Sequence, residues 1–436
     1  MDLLLPEALS RTLLLMRDEV TSEAKETALI SALTNTNVVL VGDARNLESH
    51  AAQSAFITAA LLMGRSGHQV HLLAPDVTLR GLQPPLKGDR LMSALLSISQ
   101  DLLPGVGFSV FPPRDEAALQ VVIGNSSPRA RAQHTIAINA HAWSGLIDTP
   151  DRAIPWMEPD WPVGAMAAGA IAAAEAFKAA MHHLRPWARN PARFHELFRF
   201  VTRVLFELAP AGSAQGGSLG DFDFISGGAI TNNALYALAR IPGVTGHGRI
   251  IEPETGEITN LNRYMLMLMS DVDIHKGRML QSKMRPELSL ETIPLRFTSD
   301  DLQQIGGLSS RVLVGVDDIP SRWQVQAHHP TWLGIGATTH WEAMASYHAQ
   351  GLGCARCLHP RDDPTVGVIP TVSFVSFFGG LTLATYMLRA VGAGQLSLDQ
   401  QCSYFSPLRP EFVWRTPVAI RPQCPTCMGL CGARAA

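Results

Sequence analysis

Cysteine is scarce and confined to one end of the chain. There are 6 in 436 residues, none before Cys354, too few for a scaffold held by disulfides. Charge is sparse as well, at 17% of residues against the ~25% usual in globular domains. A basic excess is missing: 35 Lys+Arg against 38 Asp+Glu leaves a formal net charge of −3, which excludes nucleic-acid binding by bulk charge. The first residues, Met1-Asp-Leu-Leu-Leu-Pro6, lack the basic n-region of a secretory signal. Long uncharged stretches are few. Thr365 to Leu388 carries no charge but holds Pro370, Gly379 and Gly380, and its counterpart from Pro162 to Met181 is interrupted by Glu175 and Lys178. Two buried helices packed on each other explain both better than membrane spans. What is plentiful is apolar residue, 46% of the chain, in a length that suits two domains of about 200 residues.

The chain carries one plan twice. Asn37 to Asp43 reads as a buried strand ending in a turn, Ala51 to Met63 as a helix, and Gln69 to Pro75 as a second strand. Asp221 to Gly228, Ile230 to Arg240 and Gly248 to Pro253 repeat that order, the pattern of parallel strand–helix–strand units. Val121 to Gln133 also aligns without gaps on Val312 to Gln324, with Asp317 and Asp318 where the earlier copy has Ser126 and Ser127. Likewise Glu252 stands where the first copy has Ala74. These positions fall at the C-terminal strand edge, where open parallel sheets bind ligands. The first copy has lost the carboxylates that the second keeps. The boundary is expected near residues 185–215, with Phe194 to Leu208 as a helix opening the second domain and Ala209 to Ser218 as a loop. The expected division is 1–190 and 191–436.

Taken singly, the polar residues of the second half are ambiguous. Ser226-Gly-Gly-Ala-Ile230 is either a phosphate-approaching turn before a helix N-terminus or a tight packing turn. The full G-x-G-x-x-G fingerprint is absent, which argues against a nicotinamide-dependent oxidoreductase. Glu252 is either a ribose acceptor at the end of a strand or solvated surface. Arg263 is either a phosphate ligand or a helix-surface arginine, and Asp317 either a metal ligand or a helix N-cap. His328, His329, His340 and His348 match no ligand spacing and read as loop or surface histidines.

Taken in order, they carry a resemblance. Gly227-Gly228, Glu252, Asn260-Leu-Asn-Arg263, Lys276, and Asp317 with Arg322 five residues on resemble the motif set of the ubiquitin-activating-enzyme-like adenylyltransferases, the ThiF/MoeB-like superfamily. The matched span is 221 to 324. The resemblance implies an α/β fold of two Rossmann-like doubly wound adenylation domains, forming a pseudo-dimer in one chain with an inactive first half and an active second half. It implies ATP-dependent adenylation of the C-terminal glycine of a ubiquitin-like protein, with transfer to a conjugating enzyme through a thioester as a further step. Arg263 and Lys276 would supply fixed positive charge, Asp317 would hold Mg²⁺, Glu252 the ribose and Asn260 the triphosphate, with Gly227 and Gly228 lining the phosphates. An arginine from the start of one half enters the other half's site in this family; Arg11 is the candidate here and Arg17 the alternate. The setting implied is cytoplasmic, in bacterial ubiquitin-like conjugation linked to antiphage defence. The alternatives are a sulfur-carrier adenylyltransferase that stops at the acyl-adenylate, and a non-catalytic scaffold that binds a ubiquitin-like protein.

Cys354-Ala-Arg-Cys357 and Cys424-Pro-Thr-Cys427 form two C-x-x-C pairs, the signature of a tetrahedral Zn²⁺ site. If they hold metal, only Cys402 and Cys431 are left as nucleophiles. Cys402 reads as a buried strand residue, so Cys431 is the candidate. The stretch Arg361 to Val366, where family members place a catalytic cysteine, contains none.

Overall fold

The computed structural model describes residues 4–213, 215–361, 367–392 and 398–427. Fifteen strands form two sheets. The first comprises β1 (Asn37–Val41), β2 (Gln69–Leu73), β3 (Phe108–Ser109), β4 (Ala117–Ile123), β5 (Ala132–His141), β6 (Ser144–Asp148) and β7 (Val204–Glu207), in the order β3-β2-β1-β4-β5-β6-β7. The second comprises β8 (Ser218–Ile225), β9 (Thr245–Ile251), β10 (Leu288–Ile293), β11 (Arg311–Val314), β12 (Trp332–Thr339), β13 (Glu342–Ala349), β14 (Cys402–Phe405) and β15 (Val413–Thr416), in the order β10-β9-β8-β11-β12-β13-β14-β15. Apart from β15 the two orders are the same. In each sheet the first five strands of that order are parallel and the next two antiparallel. Two Rossmann-like halves are therefore present, as the duplicated pattern requires.

One sequence expectation needs correction. Phe194 to Leu208 is not a helix. A short helix, Pro191–Leu197, capped by the Asn190 side chain, ends before β7. The alternation in Val204-Leu-Phe-Glu207, buried at Val204 and Phe206 and exposed at Leu205 and Glu207, is a period of two and selects a strand. β7 pairs antiparallel with β6 and so extends the first sheet.

The apolar stretches of both halves form 20-residue helices, Val163–His182 and Ser373–Gly392. Both have the length and composition to cross a membrane, yet both lie in the protein core. The first is rich in alanine, the strongest helix former, and its small side chains admit close neighbours. A Cβ on Gly169 would meet the Ala55 carbonyl at 2.5 Å, and one on Gly380 would meet backbone of Ile230 and Ala234 at 2.6 Å. Each long helix thus crosses the helix that follows its half's first strand (His50–Arg65 or Ala229–Arg240) at a glycine. Glu175 and Lys178, which interrupt the apolar run, pair with each other at 2.5 Å with no exposure. Glu175 also accepts the Val201 amide at 3.0 Å, which satisfies a charge that burial would otherwise penalise.

The halves share one core. Phe177 stacks against Phe374 and Trp341 at 5.5 and 5.6 Å, and Phe206 of β7 against Phe378 and Phe405 at 5.2 and 5.0 Å. Thr58 and Tyr236 share a hydroxyl hydrogen bond of 3.0 Å between the two shorter helices. Because backbone atoms close off Gly169 and Gly380, Gly169→Val and Gly380→Val should each destabilise the fold by about 1–3 kcal/mol. Denaturant unfolding checks this, and a wild-type midpoint for both would contradict the close crossing.

Candidate functional site

The strand register of the second sheet sets the site. Val314, Ile225, Ile251 and Ile293 lie side by side across β11, β8, β9 and β10. The residues that follow them therefore share one edge, at the point where the chain order reverses between β8 and β11. That is the ligand-binding crevice of open α/β sheets. A cleft of about 620 Å³ opens there, lined among others by Arg11, Gly228, Glu252, Asn260, Arg263, Lys276 and Asp317. Every motif residue expected to act on the nucleotide lines it except Gly227, which lies directly beneath.

The glycine turn is built for close approach. Ser226 takes a positive φ of 81°, and a Cβ on Gly227 would meet Glu252 and Lys276 at 3.2 Å. Gly228 caps the twelve-residue helix Ala229–Arg240 without a capping side chain bond. Among the described residues the amides of Ala229 and Ile230 have no acceptor, and both residues line the cleft. Such a helix start favours an anion. Glu252 is buried and accepts the amides of Gly227 at 2.5 Å and Glu254 at 2.8 Å. Its first task is thus to hold the turn, and a carboxylate retains further acceptor capacity.

The cations differ in their commitments. Lys276 donates to Glu254 at 2.6 Å. Burial works against its ammonium, but Tyr264, Glu254 and Glu252 outweigh that and hold its pKa above the ordinary lysine value. Arg263 is 8% exposed. It donates to the Thr259 carbonyl and to Asn262 Oδ1, and among the described residues it makes no ion pair. Burial lowers its pKa, with Arg11 adding to the effect and Tyr264 and Asp317 opposing it. Arg11 donates to the Ile369 carbonyl at 3.1 Å and likewise has no carboxylate partner. Two guanidinium groups held only by neutral oxygens in a cleft are matched to an incoming anion. Asn260 is buried, and its Oδ1 accepts the Glu257 amide at 3.0 Å, which fixes the start of the motif.

Asp317 and Asp318 divide two roles. Asp318, not Asp317, is the helix N-cap, accepting the Ser321 amide at 2.7 Å. Asp317 lines the cleft and is exposed, and among the described residues no hydrogen bond engages its carboxylate. The surrounding walls raise its pKa, while Arg322, Arg263 and Arg11 pull it back. Arg322 lies behind, donating to the Val316 carbonyl and to His359 Nε2.

Arg11 belongs to the first half, on the helix Ser10–Glu19, and reaches the cleft of the second. Arg17, the alternate, instead pairs with Glu26 on the surface. At the equivalent edge of the first half the polar residues bond one another, beside a cavity of about 630 Å³ lined by Asn46, Ser49 and Trp156 among others. Asn46 Nδ2 bonds Asp43, Asn125 Oδ1 (3.1 Å) and Ser126 Oγ (3.3 Å), while its Oδ1 accepts the Trp156 amide at 2.8 Å. Ser126, the counterpart of Asp317, is consumed in that network.

Sequence reasoning missed Glu254 and Tyr264, which both line the cleft. Glu254 lies inside the motif segment, where its spacing to Lys276 was the available signal; for Tyr264 there was none. His348 also departs from expectation. It is 1% exposed on β13, bonded to Ser346 Oγ and the Gly353 carbonyl. His328, His329 and His340 lie outside strands and helices.

The four cysteines of the two pairs converge, their sulfurs all within 4.8 Å of one another. Neighbouring sulfurs lie at 3.4 to 3.7 Å, close to the roughly 3.8 Å edge of a tetrahedron with 2.3 Å metal–sulfur bonds. The Arg421 amide points at Cys357 Sγ, an outer-shell bond of the kind that supports thiolate ligands. Burial and the neighbouring sulfurs push the Cys354 thiol up; four thiolates this close need a cation to ionise together. The donor set fits a tetrahedral metal ion. Cys402 is wholly buried on β14, and burial raises its thiol to about 11. Cys431 lies outside the described residues.

Parts of this chain are similar to known proteins. Residues 37–193 match the family described as the BilD N-terminal domain. A sulfur carrier protein adenylyltransferase of Thermus thermophilus is 26% identical over 203 residues, which cover 42% of this chain and 74% of that protein. These matches support the ThiF/MoeB-like adenylyltransferase superfamily. An uncharacterised Sinorhizobium fredii protein, y4jF, is 28% identical over 144 residues, 32% of this chain but only 28% of that protein. Among solved structures, Escherichia coli MccB with ATP aligns with a TM-score of 0.39 at 16% identity, over 67% of this chain and 97% of MccB.

Metal analysis of the purified chain should find about one bound metal ion, and stripping it should lower the unfolding temperature, because the ion ties Cys424 to Cys354. A metal-free chain with four freely alkylated thiols would contradict the site.

Proposed function

We propose that the second half adenylates the C-terminal glycine of a ubiquitin-like protein, in a cleft completed by Arg11 from a first half that has lost its own site. The observation that carries this is the convergence of Arg11, Asn260, Arg263, Lys276 and Asp317 on one unpaired helix N-terminus. The glycine carboxylate oxygen attacks the α-phosphorus of ATP. The bond from that phosphorus to the bridging oxygen breaks, and pyrophosphate leaves with the electron pair. Both reactants are anions, so the barrier is largely electrostatic and fixed cations lower it. Arg263 and Arg11 meet the phosphates, Lys276 adds charge held in place by Glu254, and the amides of Ala229 and Ile230 face the same space. Glu252 offers its remaining acceptor capacity to the ribose, and Asn260 orients the triphosphate. Asp317 is the carboxylate placed to hold Mg²⁺, which when bound neutralises phosphate oxygens. The four-cysteine cluster is assigned to a structural Zn²⁺, consistent with its closed four-thiolate donor set. We retain the division into an inactive half, 1–190, and an active half, 191–436; β7 follows that point and completes the first sheet.

A second reading is an adenylyltransferase that stops at the acyl-adenylate. It is favoured by Cys402, the one described cysteine outside the four-sulfur cluster, which is wholly buried. On the first reading Cys431 forms the thioester and a conjugating enzyme accepts the product. The resemblance supports a cytoplasmic setting in bacterial ubiquitin-like conjugation with a part in antiphage defence.

Pyrophosphate exchange tests the assignment. With a ubiquitin-like protein ending in glycine as substrate, Arg263→Ala and Asp317→Ala should each cost at least about 100-fold. Ser126→Ala should stay within about twofold in activity, because Ser126 is buried in the half that lacks the chemistry. Equal losses from all three would contradict the division of labour.

A further inference from the structure

Residues 261–275 join Arg263 to Lys276, and most of this segment has no regular ladder to satisfy its backbone. It contains only the 3₁₀ turn Met269–Asp271. A buried irregular segment must find side-chain partners. Part come from its own half: Asn232 and Asn233 accept the amides of Leu266 and Met265 at 2.9 and 3.3 Å.

Others come from the other half. Arg65, the last residue of the helix His50–Arg65, is wholly buried. Its Nη1 donates to the Leu261 carbonyl at 2.6 Å, and its Nη2 to the carbonyls of Met267 at 2.5 Å and Met265 at 3.4 Å. Asp101 accepts the Ser270 amide at 2.9 Å and its hydroxyl at 2.6 Å. Thr12, next to Arg11, accepts Asn262 Nδ2 at 2.9 Å. The segment is thus gripped at 261, 262, 265, 267 and 270 by side chains of the first half.

The grip has a counterpart in the first half. Arg240 ends the equivalent helix of the second half, is equally buried, and donates to the Pro84 carbonyl of the first half. The halves exchange arginines across their interface, and the segment receiving Arg65 carries Arg263 and Tyr264 of the cleft. A guanidinium reaching three carbonyls through a rigid fork is not replaceable by the point charge of lysine.

We propose that Arg65 and Asp101 of the first half are positioning residues for the nucleotide site, fixing the segment that sets Arg263 and Tyr264 relative to Lys276. This rests on the reading of the cleft as an ATP site. The first half then acts through its loop clamps as well as through Arg11.

The test uses the full chain, ATP as probe, and pyrophosphate exchange with the glycine-ending substrate protein. Asp101→Ala and Ser270→Ala remove one surface contact from either side. Each should raise the KM for ATP about fivefold with kcat nearly kept, and the double variant should be no worse than either single, as for a coupled pair. Asp101→Asn, which retains one acceptor for the Ser270 amide, should recover part of the loss. Arg65→Lys should weaken ATP more, about tenfold or beyond, as expected when reacting groups are misplaced. Wild-type KM in Asp101→Ala, Ser270→Ala and Arg65→Lys, while Arg263→Ala abolishes ATP binding, would overturn the positioning role and leave the ATP site standing. Unchanged ATP binding in Arg263→Ala would overturn both.

Discussion

The helices Val163–His182 and Ser373–Gly392 cannot face water, and much of the remaining architecture follows from where they go. Burying one large apolar side chain contributes about 1.5–3 kcal/mol, and Phe177, Phe374, Phe377 and Phe378 are all fully buried here. Each helix packs on its own half, and the two also meet through Phe177 and Phe374. The halves therefore form one core in which residues of the first sit against the second. Arg11 reaches the second half's cleft, and Thr12, Arg65 and Asp101 reach the segment beside it, because this packing brings them there.

Shared architecture does not give shared chemistry. Both halves place a turn, a helix start and a polar strand end at the same sheet edge. In the first, Asn46 ties Asp43, Asn125 and Ser126 into one hydrogen-bonded network. In the second, the glycines keep the space open and Asp318 takes over helix capping, leaving Asp317 free. A few side chains thus differ at otherwise equivalent edges: Asp317 and Glu252 stand in the second half where the first has Ser126 and Ala74.

The duplication, the parallel units, the glycine turn and the burial of both apolar stretches were legible because each leaves a local periodicity or a repeated motif. The ordered set from Gly227 to Arg322 was legible through family resemblance, and the structure brings all its cleft-facing members together. The helix expected over Phe194 to Leu208 failed because a short run near a boundary supports either period, and pairing with β6 selects the strand. Glu252 is more occupied than its motif implies, since two amides already use its oxygens. Arg65 and Asp101 left no signal in the sequence, because their partners lie 169 or more residues away. His348 was misjudged because its isolated neighbours in sequence resemble surface histidines while its strand is central.

The most direct test of this account is a crystal structure of the full chain with a non-hydrolysable ATP analogue. The account predicts one nucleotide per chain, its phosphates between the Gly227-Gly228 turn and Arg263, with the Arg11 guanidinium on a phosphate oxygen. A nucleotide bound instead at the Asp43–Ser126 edge of the first half, or in the second half with Arg11 turned away, would contradict it.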